Sequence, residues 1–271
     1  MSKRIAFIGG GNMASALISG LIKQGLPSDL IDVVEPFAEA RDKLQASFGI
    51  AAQPQAGDFL LDAPLLVWAV KPQTFKEAAL TVAPHVLGGL HLSVAAGIRS
   101  DSIAAWLGTE RVVRAMPNTP ALIGQGITGL FARASVTAND KAFVEQVIDT
   151  TGESLWLEAE EQLDVVTALS GSGPAYVFYF MEAMITAGTE MGLNHEQAQQ
   201  LAIATFTGAS ALAKSTGDSP KVLRQRVTSK GGTTFAAISS MEDNDLRALF
   251  IDAMYAARER ARELGDEFGA A

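Results

Sequence analysis

The beginning of the chain contains its most constraining feature, an apolar run that breaks into glycines and is followed by a helical pattern. The run 4–8 leads into Gly9, Gly10 and Gly11, and apolar residues at helical spacing follow from Asn12. A buried strand that turns sharply into a helix has this pattern, and the first amides of such a helix face an anion. The pattern predicts a dinucleotide-binding turn, and the alternative is a strand–helix turn that binds no phosphate.

The residue types at this turn have distinct expected roles. Gly9 allows the tight turn, Gly11 lets the backbone approach a pyrophosphate, and Ala14 replaces a third glycine and keeps the helix close to the strand. The cofactor contacts predicted here are Ile8, Gly9, Gly11, Asn12, Met13 and Ala14.

The composition of the 271 residues excludes several classes of function. The formal net charge is −9 and no basic stripe is present, so no nucleic-acid partner is expected. The absence of cysteine excludes disulfides and thiolate chemistry, and the three histidines lack ligand spacing, so no metal is expected. A strand begins almost at once and the longest apolar run, 173–185, contains Glu182, so we expect no signal peptide, no membrane span and a cytoplasmic location.

Short apolar runs alternate with helical segments over roughly the first 155 residues. The predicted strands after the first are 31–35, 65–70, 91–94 and 112–116, and the predicted helices are 13–24, 38–48, 72–83 and 101–107. A continuous apolar run such as 65–70 is typical of a strand buried on both faces of a parallel sheet. The alternation predicts an α/β, doubly wound fold, and we assign residues 1–159 to a dinucleotide-binding Rossmann-type domain.

From about residue 160 the strand signal almost disappears and the pattern becomes helical. The predicted helices are 161–168, 173–191, 195–215, 220–227 and 243–265. The helix 173–191 is apolar on nearly every side, so it must be buried on every side. A small helical domain cannot cover such a helix alone, so we assign residues 160–271 to an all-α domain that binds substrate and forms a homo-oligomer through partner helices.

Glu35 ends the second predicted strand, about 20 residues past the glycines. A carboxylate there can accept hydrogen bonds from the adenosine ribose hydroxyls and would repel a 2′-phosphate, which favours NAD. The alternative is a surface acid at a strand end. Arg41 could swing across to a 2′-phosphate, so NADP remains open.

Small residues at the ends of two further strands extend the predicted cofactor site, because ligands of open α/β sheets bind at the carboxyl ends of the strands. The predicted contacts are Ala69, Val70, Lys71, Pro72, Ala95, Ala96 and Gly97. Lys71 either contacts phosphate or ribose or is an ordinary solvated lysine. Asn118 lies between two prolines at the next strand end and is a candidate for the reactive end of the cofactor, unless the segment is only a rigid turn.

Two glycine-rich turns, 170–176 and 228–234, precede helices in the C-terminal half. Each offers unpaired amides together with hydroxyls, which suits a small carboxylate. Ordinary helix capping is the alternative. Together with a nucleotide domain, the two turns favour a substrate site.

Five segments of the sequence together resemble the pyrroline-5-carboxylate reductase family, and the similarity runs in order over essentially the whole chain. These segments are 7–14, 69–73, 116–120, 170–176 and 227–234. Two positions depart from the family pattern. Lys230 stands where the family usually has proline or asparagine, and Glu35 stands where many members have small polar or basic residues.

The resemblance implies the reduction of 1-pyrroline-5-carboxylate to L-proline, the last step of proline biosynthesis, with NADPH or NADH. It implies that the Thr234 hydroxyl lies next to the substrate nitrogen and that the backbone of Gly231, Gly232 and Thr233 holds the carboxylate. Ser172 is a further predicted substrate contact. The family also implies a dimer interleaved through the helical domains, often assembled further into a decamer.

Two other functions compete with this interpretation. A β-hydroxyacid dehydrogenase of similar architecture needs a base, typically a lysine on the first long helix of the second domain, and the segment 173–191 contains no lysine. A nucleotide-sensing protein without catalysis needs no second anion-binding turn, so both C-terminal turns would then be coincidental.

Overall fold

The structure is a computed structural model that describes residues 3–86 and 88–269. Its contacts divide the chain into two units. The first takes the residues up to Ser172 and those from Ala257 on, and the second takes Gly173–Ala256. In the described residues, no helix combines the length and the apolar content that crossing a bilayer requires.

A sheet of seven strands organises the described part of the first unit. The strands are β1 (Ile5–Ile8), β2 (Ile31–Val34), β3 (Leu65–Trp68), β4 (Leu90–Ser93), β5 (Val112–Met116), β6 (Gly126–Ala132) and β7 (Gly152–Trp156). Their order is β2-β1-β3-β4-β5-β6-β7; β1 to β5 run parallel, β6 is antiparallel to β5, and β7 is parallel to β6. The strand order reverses between β1 and β3, and in such sheets the crevice at their carboxyl ends binds ligands. The predicted α/β Rossmann-type fold is confirmed.

The helices of the first unit cover both faces of this sheet. The α-helices that lie wholly within this unit are α1 (Asn12–Lys23), α2 (Ala38–Phe48), α3 (Pro72–Val82), α4 (Ser100–Leu107), α5 (Ala138–Ile148) and α6 (Gln162–Val166). Successive residues of β1 alternate between two cores: Ile5 and Phe7 pack into one, and Ala6 and Ile8 into the other. Because both faces are buried, every residue of β1 is apolar, which explains why this strand reads as a continuous run.

The last two strands of the sheet and α5 were not predicted from the sequence. Gly126 and Gly129 interrupt the apolar run of β6, and alternate residues of β7 are exposed. A Cβ on Gly129 would lie 2.9 Å from Val166, so α6 packs closely against β6 there. Glycines in these strands therefore mark close packing, although in sequence they read as turn residues.

The first unit extends to Ser172, whereas the sequence placed a domain boundary after residue 159. Glu160 accepts hydrogen bonds from Ser100 and pairs with Arg114, and Leu163 of α6 is buried. These contacts attach the segment that follows residue 159 to the sheet. The segment continues into a π-helical stretch, Thr167–Gly171, in place of the single predicted helix 161–168.

The second unit is helical in its described residues, as predicted. It contains α7 (Gly173–Glu190), α8 (His195–Thr216), α9 (Pro220–Arg226) and α10 (Thr233–Asp243), and α11 (Leu246–Gly269) begins in it and ends in the first unit. Phe250 packs edge-on against Tyr176 and Phe180. The predicted helix 243–265 was wrong at its start, because the chain turns at Asp245, where φ is +54°, and α10 ends before the turn.

Candidate functional site

The glycine turn after β1 lies at the reversal point of the sheet. Gly9 has a φ of +96°, and a Cβ there would come within 2.6 Å of the Ala69 carbonyl oxygen at the end of β3. The Gly9 amide donates to the Val34 carbonyl at the end of β2, 2.8 Å away. Only glycine adopts this positive φ readily and has no Cβ to clash with the Ala69 carbonyl. The turn therefore fits tightly between the ends of β2 and β3.

The same turn leaves an open cradle at the start of α1. Gly11 caps the helix without any side-chain hydrogen bond, and a Cβ on Gly11 would meet no heavy atom within 4 Å. Asn12 is exposed, Met13 is half-buried and Ala14 is fully buried in the core. The first helical amides thus face open space with the positive end of the helix dipole behind them. These residues fit the pyrophosphate of a dinucleotide.

Glu35 lies directly beside this cradle, but its carboxylate points inward. The residue is only 6% exposed. Its Oε2 accepts a hydrogen bond from the Gly10 amide at 2.8 Å, and its Oε1 accepts one from the Phe37 amide at 2.9 Å. The spacing from the glycines correctly predicted that Glu35 lies at the end of β2. Its predicted contact with the ribose stays a prediction.

The segment after β3 continues the same edge of the sheet. Ala69 donates to the Ile8 carbonyl at 2.8 Å, and Pro72 occupies the first turn of α3. Lys71 precedes that helix, is exposed, and has no side-chain partner among the described residues. Its ammonium can therefore reach a ligand or water alike.

The segment after β4 is shaped by the C-terminal helix. Gly97 has a φ of +70°, and a Cβ there would lie 3.1 Å from Cβ of Leu264 on α11. Ala95 is buried, and its amide donates to Ser93 Oγ at 3.3 Å. The fold itself therefore demands small residues here, so their predicted role towards the nicotinamide is not needed to explain them.

Asn118 follows β5 and ties its turn to β6, because its Oδ1 accepts from the Ile127 amide at 3.0 Å. Its Nδ2 has no partner in the described part of the chain. Asn118 therefore stabilises the turn through its Oδ1, and its Nδ2 remains available to a ligand.

A buried ionic network near the start of α4 was not predicted. Arg114 on β5 is 7% exposed and pairs with Glu160 at 2.7 Å. Glu160 also accepts from the amide and hydroxyl of Ser100, at 2.6 and 2.5 Å. Burial raises the pKa of the neighbouring Asp164 carboxyl. The signal in the sequence was an arginine inside the apolar strand Val112–Met116, which calls for a buried acidic partner.

His91 on β4 is a structural residue rather than an acid–base catalyst. Its side chain is 1% exposed, and its Nδ1 accepts from Trp68 Nε1 at 3.0 Å. Burial, and next the charge of Arg111, lower the His91 pKa to about 4. The imidazole is therefore neutral near pH 7 and holds two neighbouring strands together.

In the second unit, the turn before α10 has the features of an anion site. Gly231 has a φ of +76°, a Cβ there would meet no heavy atom within 4 Å, and Gly232 caps α10 without a side-chain hydrogen bond. Thr233 is exposed and Thr234 half-buried, and neither hydroxyl has a partner among the described residues. Uncapped amides beside two available hydroxyls suit a small carboxylate.

Ser172 directly follows the π-helical stretch Thr167–Gly171, before α7 begins. Its amide bonds to the Thr167 carbonyl at 2.8 Å, and its hydroxyl has no partner in the part of the chain that is described. Isolated π-helical turns are common at functional sites, which supports its candidacy.

The structure brings the predicted cofactor residues to one edge of one sheet. The glycine turn, Glu35 and the segment 69–72 follow β1, β2 and β3, while 95–97 and Asn118 follow β4 and β5. The turn 231–234 belongs to the other unit.

Two family models match the chain. The model described as pyrroline-5-carboxylate reductase dimerisation matches residues 160–264, and the one described as NADP oxidoreductase, coenzyme F420-dependent, matches residues 4–97. The chain is 46% identical over 268 residues to the pyrroline-5-carboxylate reductase of Pseudomonas aeruginosa, and the match covers 98% of each protein.

Solved structures give the same relationship. A pyrroline-5-carboxylate reductase from Coxiella burnetii is similar with a TM-score of 0.91 and 39% identity, covering 97% of this chain and 99% of that one. A Plasmodium falciparum pyrroline carboxylate reductase with NADP bound is similar with a TM-score of 0.86 and 26% identity, covering 97% and 98%.

Proposed function

The chain belongs to the pyrroline-5-carboxylate reductase family, and we propose that it reduces 1-pyrroline-5-carboxylate to L-proline with NADPH or NADH. The open cradle at Gly11, beside the tight Gly9 turn at the reversal point of the sheet, is the observation that carries this proposal. It fits a nicotinamide dinucleotide and gives the family assignment a physical basis.

The chain's own residues have positioning roles in this reaction. The backbone of Gly231, Gly232 and Thr233 holds the substrate carboxylate. The amides of Gly231 and Thr233 are available for it, whereas the Gly232 amide donates to the Ser229 carbonyl at 3.0 Å, and unpaired amides at a helix start bind anions. Ser172 is a further hydrogen-bonding contact to the substrate. Fixing a small cyclic imine at its carboxylate limits the orientations in which the imine carbon is presented.

The Thr234 hydroxyl serves the imine nitrogen. When bound, the reduced nicotinamide supplies a hydride, which forms the new C–H bond at the imine carbon as the C=N double bond becomes single. If the imine binds protonated, no further proton is needed. If it binds neutral, Thr234 donates a proton to the nitrogen and recovers one from water. The absence of a perturbed acid–base pair in this turn agrees with a rate that comes mainly from positioning.

The proposal also assigns a role to each domain and includes the assembly of the protein. Residues 1–159 bind the dinucleotide, and residues 160–271 bind the substrate and form a cytoplasmic homodimer, with a decamer as the larger assembly. The apolar residues that α7 leaves exposed support the dimer, because such a surface on a helix is normally covered by a partner.

A kinetic comparison of Thr234 variants tests the function and the role together. We expect the protein to oxidise NADPH or NADH when pyrroline carboxylate is added. The oxidation is measured as the loss of absorbance at the band of the reduced nicotinamide. Thr234→Val should lower kcat by roughly one to two orders of magnitude, since one substrate hydrogen bond is lost, and leave dinucleotide binding unchanged. Thr234→Ser should retain most of the activity.

Thr81 offers a matched control, because its hydroxyl only bonds the Glu77 carbonyl of its own helix. Thr81→Val should keep wild-type kinetics. No oxidation with either nucleotide would contradict the proposed reaction and favour a nucleotide sensor. Oxidation driven by a β-keto acid but not by the imine would favour the β-hydroxyacid dehydrogenase. Equal kinetics in wild type and Thr234→Val would remove Thr234 from the site.

A further inference from the structure

The turn between β2 and α2 holds an acid whose two carboxylate oxygens each already accept a hydrogen bond from the backbone. Glu35 accepts from the amides of Gly10 and Phe37 with its two oxygens, and only 6% of the residue is exposed. A Cβ on Gly10 would lie 3.4 Å from Glu35 Oε2, so the carboxylate and the glycine turn are packed together. Glu35 is therefore placed to hold the glycine turn and is poorly placed to reach a ribose hydroxyl.

Arg41 on α2 lies at the same turn and is only half engaged. Its Nη1 donates to the carbonyls of Glu35 at 2.9 Å and Pro36 at 2.7 Å. Its Nε and Nη2 have no partner among the residues described. Those two nitrogens form the planar edge through which arginine binds phosphate in a bidentate manner. The two carbonyls thus anchor the guanidinium while its phosphate-binding edge stays available.

The other cation on this helix is in a different situation. Lys43 pairs with Glu39 one turn away at 2.9 Å, and both side chains are largely exposed. Arg41 has no carboxylate partner in the described chain. The cation of α2 that lacks a carboxylate partner is therefore Arg41, next to the end of β2, which is where the adenosine ribose lies in sheets of this class.

We infer that Arg41 binds the 2′-phosphate of NADPH and that Glu35 is a positioning residue for the glycine turn. The chain accordingly binds the phosphorylated cofactor more tightly, in contrast to the NAD preference that the sequence position of Glu35 favoured. The exposed ring of Phe37 at the same turn offers an apolar face for the adenine. This inference rests on the proposed function only in taking a nicotinamide dinucleotide as the ligand.

Calorimetric titration with NADP⁺ and with NAD⁺, without substrate, tests the inference. We expect wild type to bind NADP⁺ at least about tenfold more tightly, and Arg41→Met to weaken NADP⁺ binding by roughly 10- to 100-fold, the range for a charge-assisted bidentate contact. The affinity for NAD⁺ should stay within about twofold, since it has no phosphate to lose. Lys43→Met is the matched control and should change neither affinity. A wild type without preference for NADP⁺, or an Arg41→Met variant that weakens both nucleotides equally, would overturn the inference.

Glu35→Gln separates the positioning role from a ribose contact. An amide group cannot accept from both backbone amides, so the glycine turn should loosen and the affinities for NADP⁺ and NAD⁺ should fall together. A change in their ratio in favour of NADP⁺ would instead show that the Glu35 carboxylate faces the ribose and repels the phosphate. Thermal unfolding of each variant checks the fold, and the Arg41 and Lys43 pair decides the main point if Glu35→Gln does not fold. Binding ratios do not depend on turnover, so absent imine reduction would contradict the proposed function and leave this inference standing.

Discussion

The two units of the chain differ in how much of their apolar surface they bury themselves. In the first unit, the strands β1, β3 and β4 are fully buried, and both faces of the sheet carry a closed core. In the second unit, Gly188 is the buried residue of α7, while Phe178 and Tyr179 on that helix are 57% and 70% exposed. The first unit therefore has a core of its own, whereas the second leaves large apolar residues of α7 exposed.

The difference separates two sources of stability, namely polar pairs inside the sheet unit and apolar surface on the helical unit. The buried polar residues Arg114 and His91 of the first unit each have a side-chain partner within the chain. The exposed apolar residues of the second unit are not covered by the rest of the described chain. If a second copy covers them, the helical unit should depend on assembly for its stability, whereas the sheet unit should depend on internal pairs.

The largest expected effect concerns the exposed face of α7. Phe178→Glu would place a charge in the proposed interface, at a cost of several kcal/mol, which corresponds to roughly a thousandfold weaker dimer. Leu80→Glu is the matched control, because Leu80 is about as exposed but lies on α3 of the sheet unit. Sedimentation at micromolar concentration should give a dimer for wild type and Leu80→Glu, and a dissociated or unfolded chain for Phe178→Glu. A dimeric Phe178→Glu would place the interface elsewhere.

An intermediate effect is expected for the buried ion pair of the sheet unit. Glu160→Ala leaves Arg114 buried without its partner, so the free energy of unfolding should fall by about 3 kcal/mol. Glu161→Ala, one position along, removes a carboxylate that has no ion pair among the described residues and should cost little. Urea unfolding at a fixed protein concentration measures both. Equal stabilities for the two variants would show that the pair does not stabilise the fold.

The smallest effect is a pH dependence from His91. Its folded-state pKa of about 4 lies below the ordinary 6.5, so its contribution is present above pH 6.5 and is lost as the pH falls towards 4. Between pH 7.5 and 5 this amounts to about 2 kcal/mol of unfolding free energy. His91→Gln should flatten this part of the pH profile. A profile that keeps its slope in His91→Gln would assign the pH dependence to other groups.

Local signals in the sequence were sufficient for the part of the fold that precedes Asn118. The glycine turn after β1 and the strand Val112–Met116 lie where they were predicted, since each depends on neighbours in the chain. The strand β6 was missed because its glycines have the composition of a turn, and the packing of Gly129 against Val166, far along the chain, leaves no local signal. The same holds for Glu160, whose partners on β5 and α4 no spacing rule connects to it.

The candidate site shows the same limit. The position of Glu35 followed from its distance to the glycines, but the direction of its carboxylate depends on the Gly10 and Phe37 amides, which only the folded turn places together. Gly97 was predicted to be a cofactor contact because it is a small residue at a strand end. Its packing against Leu264 could not be predicted, because the two residues lie far apart in the sequence.

Isotope transfer tests the central claim most directly. The protein is incubated with pyrroline carboxylate and NADPH, or NADH, that carries deuterium on the transferable position of nicotinamide carbon 4, and the product is analysed by mass spectrometry and on a chiral column. The reductase account predicts L-proline with deuterium at ring carbon 5, in an amount equal to the nucleotide oxidised. Oxidation of the nucleotide without deuterated proline, or recovery of unchanged imine with both cofactors, would contradict it.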